Sequence, residues 1–117
     1  MERIETSYGT IPATGVVERY PSGTPMSLAP ADEVVFETAL GPLAAQHTTD
    51  DLRRRTVQSV LFHENGRLRA LPLERPTRID TPAGSMEAEL VTFHPDGSLC
   101  RAFPLNGKLS GYWTQDD

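Results

Sequence analysis

One pattern recurs three times in this chain and restricts it more than any other feature. It reads Ile4-x-Thr6-x-x-Gly9-x-Ile11-x-Ala13, then Phe36-x-Thr38-x-x-Gly41-x-Leu43-x-Ala45, then Ile79-x-Thr81-x-x-Gly84-x-Met86-x-Ala88. A second pattern follows each occurrence. Val60-Leu61-Phe62-His63-Glu64-Asn65-Gly66-Arg67-Leu68 aligns with Val91-Thr92-Phe93-His94-Pro95-Asp96-Gly97-Ser98-Leu99 at an offset of 31, and Val17-Glu18-Arg19-Tyr20-Pro21-Ser22-Gly23 is a fainter third instance. Self-similarity of this kind marks one supersecondary unit used repeatedly.

The spacing between the two patterns places an insertion. Gly9 to Gly23 is 14 residues and Gly84 to Gly97 is 13, but Gly41 to Gly66 is 25. The middle copy therefore carries about 11 extra residues, assigned to the region around His47 to Arg55. The copies span 4–30, 36–75 and 79–113 of a single domain, 1–117, as the chain length also suggests.

Each copy reads as two chain reversals. In His94-Pro95-Asp96-Gly97 the proline presets the φ of a type I turn, the aspartate bonds nearby backbone, and the glycine accepts φ > 0. Asn65-Gly66 and Ser22-Gly23 fill the same places, and such a turn closes a hairpin with a glycine bulge. Gly9, Gly41 and Gly84 serve a shorter hairpin. β-Branched, aromatic and leucine residues flank the turns, as strands prefer. Alternation puts Met86 and Ala88 on one strand face and Glu87 and Glu89 on the other, then breaks phase at Leu90-Val91, which predicts a bulge there. Pro72 and Pro104 belong at an edge or bulge because proline cannot donate to a ladder. Residues 31–40, followed by Gly41-Pro42, also fit a glycine-capped helix, but correspondence with the other copies favours strand and turn. Within the insertion, Thr49-Asp50-Asp51-Leu52 can open a short helical turn. The expected fold is all-β: three tandem hairpin-containing repeats stacked into an elongated sheet or solenoid-like arrangement, with a helical or loop insertion near 47–55.

The stretch Gly97-x-Leu99…Asn106-Gly107-Lys108-Leu109-Ser110-Gly111-Tyr112-Trp113 resembles the bacterial variant of MORN-type repeats, mainly over residues 93–113. The resemblance implies stacked hairpins in one elongated sheet and a role as antitoxin component or binding scaffold. It brings no catalytic residues.

Composition narrows the function. With 16 acidic against 11 basic residues and a net charge of −5, the chain lacks the positive field that phosphate backbones and anionic membranes attract. No apolar run approaches the ~20 residues of a membrane span. Met1 to Glu5 has no apolar segment of the secretory kind, and the expected location is cytoplasmic. Cys100 is the single cysteine, so no internal disulfide or cysteine-based zinc site is expected.

The residues that invite chemical readings also have architectural ones. His63 and His94 share one repeat position, occupied by Tyr20 in the first copy, which fits a turn-flanking hydrogen bond better than a metal pair. Glu87 and Glu89 read as a solvated strand face rather than an acid–base pair. Arg53-Arg54-Arg55 sits in the insertion, where repeat proteins often place a binding loop, and Tyr112-Trp113 reads as an end cap or a partner anchor. Cys100 next to Arg101 reads as a lone buried thiol more readily than as a reactive one. The expected function is a non-enzymatic β-repeat module that binds another protein or self-associates as a homo-oligomer, with no cofactor. The alternative is a small-molecule or metal-binding protein, or a minor enzyme, using His63, His94 and nearby carboxylates.

Overall fold

The computed structural model describes residues 2–47, 58–82, 84–104 and 113–114. Their regular structure is strand throughout: β1 (Glu2–Thr6), β2 (Gly9–Arg19), β3 (Pro25–Pro30), β4 (Val35–Thr38), β5 (Gly41–Ala44), β6 (Val60–Phe62), β7 (Leu68–Thr81), β8 (Gly84–Phe93), β9 (Leu99–Pro104) and β10 (Trp113–Thr114). Eight strands form one antiparallel sheet in the order β1-β2-β3-β6-β7-β8-β9-β10, and β4 and β5 form a separate two-stranded sheet. Among the described residues the large sheet stays open rather than closing into a barrel. The fold is all-β, as the recurring turns require. Residues 35–44 are a hairpin and not a helix, whereas the helical turn expected near 47–55 falls, beyond His47, outside the described residues.

The short turns are built alike. Thr6 pairs with Gly9, Thr38 with Gly41 and Thr81 with Gly84. In each, the threonine hydroxyl donates to the glycine carbonyl, at 2.8, 2.8 and 2.7 Å. In the first two it also accepts the N–H of the residue before the glycine, Tyr8 or Leu40. The recurring threonine is thus a local cap on a two-residue loop.

The longer turns also share one geometry. The N–H of Gly23, Gly66 and Gly97 donates to the carbonyl of Tyr20, His63 and His94, at 2.8–2.9 Å. All three glycines have φ of 92–94°, where a side chain would be strained. The strands behind each turn slip by one residue at the same place. Glu18 faces Ser27 while Arg19 faces Pro25, Leu61 faces Ala70 while Phe62 faces Leu68, and Thr92 faces Arg101 while Phe93 faces Leu99. This is the expected glycine bulge.

Long strands bend where the register slips. β2 gains residues against β3 between Thr14 and Glu18, around Gly15 at φ 73°. β7 slips against β8 after Pro72, and β8 against β9 after Ala88, the phase break read from Leu90-Val91. Pro72 and Pro104 both sit beside these slips, where a missing N–H costs no ladder bond.

The bends bring the apolar faces together. Ile4, Ile11 and Ala13 from β1 and β2, Leu28 from β3, Val60 and Phe62 from β6, Leu71 from β7 and Val91 from β8 are almost wholly buried. The β4–β5 hairpin adds Phe36, Leu43 and the following Ala45 to the same cluster. It is tied to β7 through an Ala45–Leu73 bridge and a Gln46 N–H to Pro72 carbonyl bond of 3.0 Å. Tyr8 joins the parts: its ring lies edge-on to Phe36 at 5.3 Å and 6.4 Å from Phe62, and its hydroxyl accepts the Leu68 N–H at 3.0 Å. Burying such a side chain contributes ~1.5–3 kcal/mol, so the aromatic trio is a main reason the hairpins pack on one another.

Candidate functional site

The three long turns lie along one end of the sheet, each reaching the next. The Tyr20 hydroxyl donates to the Phe62 carbonyl at 2.7 Å. His63 Nε2 lies 2.8 Å from the Phe93 carbonyl. A carbonyl only accepts, so the proton sits on Nε2. Phe62 and Phe93 occupy equivalent positions, directly before the turn. The residue that opens each of the first two turns thus bonds to the backbone entering the following turn. The sequence reading gave this position a hydrogen-bonding role that tyrosine can also fill. It missed that the bond crosses to the neighbouring copy.

Two further bonds tie the second turn to the third. Asn65 Nδ2 donates to the Pro95 carbonyl at 2.8 Å, and Arg67 Nη1 donates to the Asp96 carbonyl. Asn65 Oδ1 also accepts the Arg67 N–H at 2.9 Å, and Asp96 Oδ1 accepts the Ser98 N–H at 2.9 Å and its hydroxyl at 2.6 Å. Those two bonds from Ser98 hold the Asp96 carboxyl below its ordinary value of 3.8, with smaller help from the charges of His94 and Arg67.

Of the recesses beside this row, two hold the residues in question. One, of about 590 Å³, lies where the short turns come over the long ones, with Tyr8, Ala39, Leu68 and Phe93 among its walls and Arg67 and Asp96 beside them. The other, of about 420 Å³, is lined by His63, His94, Cys100, Arg69 and Arg101. The structure therefore brings the two histidines and the cysteine to one groove, although His63 is committed to Phe93. Among the described residues, no three His, Cys, Asp or Glu side chains gather closely enough to hold a metal ion. Glu87 and Glu89 are exposed on β8, as the alternation implied. Arg53, Arg54, Arg55 and Tyr112 lie outside the described residues. Trp113, in β10, enters through its backbone, which pairs with Ala102 of β9.

One file of directly opposed residues crosses the sheet without interruption: Glu18, Ser27, Leu61, Ala70, Thr92, Arg101 and Thr114. In it, β3 leaving the first turn meets β6 entering the second, and β7 leaving the second meets β8 entering the third, in one register that β9 and β10 continue. Ser27 faces Leu61 and Leu28 faces Val60; Ala70 faces Thr92 and Leu71 faces Val91; Arg101 faces Thr114 and Ala102 faces Trp113. The file begins on β2 at an open edge. Among the described residues, β1 covers β2 only up to Ala13, so residues 14–19 carry β3 on one side and no strand on the other. Val16, in this stretch, is 86% exposed.

No helix among the described residues is long and apolar enough to cross a membrane. Comparison with protein-family models, curated proteins and solved structures finds no match.

Proposed function

We propose that this protein is a non-enzymatic interaction module that binds another protein, or a further copy of itself, through its open sheet edge. The observation that supports the reading is the unpaired side of β2 at residues 14–19, at the start of a strand register that repeats across the sheet. Unpaired N–H and C=O groups on such an edge accept an extended chain at little cost in rearrangement. The residues that recur in the sequence are used elsewhere: threonines and glycines shape turns, and Tyr20 and His63 bond between turns.

The test is capture of chemically cross-linked partners by immobilised full-length protein, together with light scattering across a wide concentration range. Val16→Lys places a charge on the exposed bulge without touching the core, and it should reduce capture or association at least several-fold. A chain that retains no partner and stays monomeric throughout would remove the proposal.

A further inference from the structure

The interaction reading just given leaves the occupant of the β2 edge open, and the register of the sheet identifies one. Every strand that pairs with a turn-entering strand from an adjacent copy is itself a turn-leaving strand: β3 against β6, and β7 against β8. β2 enters the first turn and lacks such a neighbour among the described residues. β9 leaves the third turn, and among the described residues its outer side pairs with β10 at Ala102 with Trp113 and Arg101 with Thr114. The β2 edge beyond Ala13 and the outer side of β9 are therefore complementary halves of the junction that the molecule already makes twice within itself.

We propose that two copies of this chain join head to tail, with β9 of one molecule exchanging its own β10 for the open β2 edge of the next. Continuing the established register sets Arg101 opposite Glu18 and Ala102 opposite Val17. Both members of the first pair are exposed and of opposite charge, on the face where Ala70 meets Thr92 in the internal junction. Val17 is already half-buried against the core and Ala102 is fully buried, so the second pair continues the apolar row. His94, the counterpart of Tyr20 and His63, then stands where its ring can donate to the Arg19 carbonyl, the counterpart of Phe62 and Phe93. The same surface is not used on both partners. The contact is heterologous, and it propagates into a ring or a short filament rather than stopping at a two-fold dimer.

Charge reversal gives a test that other modes of association do not pass. Like charges directly opposed across a strand pair are unfavourable. Full-length Glu18→Arg and Arg101→Glu proteins should each associate about tenfold more weakly than wild type in sedimentation velocity. Mixed in equal amounts, the two variants present Arg against Glu at every junction, and association should return. Wild-type amides 15–19 should also gain hydrogen-exchange protection as concentration rises, a readout independent of any variant. Wild-type protein that is monomeric at every concentration, association indifferent to both reversals, a mixture that fails to recover, or exchange at 15–19 that ignores concentration would each overturn head-to-tail pairing. Capture of a different protein by an otherwise monomeric chain would overturn it too, while leaving the interaction module standing.

Discussion

The Tyr20 hydroxyl donates to the Phe62 carbonyl across 2.7 Å, and the Nε2 of His63, the residue directly after Phe62, makes the corresponding bond to Phe93 at 2.8 Å. Phe62 and Phe93 are buried, so losing the donor leaves a carbonyl poorly placed to find water. A neutral hydrogen bond of this kind contributes about 0.5–1.5 kcal/mol. Tyr20→Phe, which keeps the ring, is expected to lower unfolding free energy by about 1 kcal/mol in urea titration, and His63→Phe by a similar amount. Tyr20→His should retain most of the wild-type stability. Equal stability of Tyr20→Phe and wild type would show that the bond between turns contributes nothing.

The glycines of the long turns share a backbone geometry but not their surroundings. A Cβ on Gly23 would meet no atom within 4 Å, whereas one on Gly66 would lie 2.5 Å from the Ser7 hydroxyl oxygen. Both residues have φ near 93°, being 94° and 92°, so each alanine substitution carries ~1–2 kcal/mol of backbone strain. Gly66→Ala must in addition push the Ser7 hydroxyl aside. It should therefore be the more destabilising of the two, and Ser7→Ala should remove that difference. Chemical denaturation of the four proteins and the Ser7→Ala/Gly66→Ala double variant forms the cycle. Equal costs for the two glycines would mean that Ser7 simply rotates away.

Turn chemistry is strictly local, which is why so much of the fold was readable. Thr6, Thr38 and Thr81 bond within their own loops, and Gly23, Gly66 and Gly97 take one φ because the four residues around them demand it. The break at Leu90-Val91 was legible for the same reason, since a two-residue period cannot change phase without a bulge. The relations between turns were not legible. Nothing near Tyr20 in sequence marks Phe62 as its acceptor, because the insertion after Gln46 separates the copies along the chain while the sheet sets them side by side. Tyr8 gave no signal either: it lies between a repeated threonine and glycine, at a position filled by Leu40 in the second copy and Ala83 in the third. The open edge of β2 follows from how far β1 extends, and strand ends are the least determined feature of a sequence pattern. The groove that gathers His63, His94 and Cys100 arises only from the pairing of β6 through β9.

Asp96 links the third turn to pH. Its carboxylate accepts two bonds from Ser98, which hold its folded pKa below 3.8. A depressed carboxylate adds stability that is fully present above the unfolded-state pKa of about 3.9, and that stability is lost as pH falls through the lower folded value. Asp96→Asn still offers an oxygen to Ser98 but carries no charge to lose. The wild type should therefore be the more stable protein at neutral pH, and the gap in melting temperature should close as the pH drops below about 4. A gap of constant size from neutral to acid pH would show that the Ser98 bonds matter equally in both protonation states.

The β4–β5 hairpin forms its own sheet, yet its packing argues that it unfolds with the rest. Phe36 is fully buried, with its ring edge-on to Tyr8 at 5.3 Å and 6.4 Å from Phe62. One contact comes from the β1–β2 loop and the other from the central sheet, so Phe36 bridges regions that share no strand pairing with it. Removing a buried phenylalanine costs about 3–5 kcal/mol, and Phe36→Ala should lower the global melting temperature rather than loosen the hairpin alone. Tyr8→Ala in the same background should cost less than it does in wild type, because the aromatic contact worth about 0.5–1.5 kcal/mol is already gone. Hydrogen exchange separates the possibilities. If Phe36→Ala speeds exchange only within residues 35–44 and leaves β6 and β7 protected, the hairpin is a dependent flap. If protection falls across β6, β7 and the hairpin together, the two sheets form one cooperative unit around the aromatic trio, as the ring geometry leads us to expect.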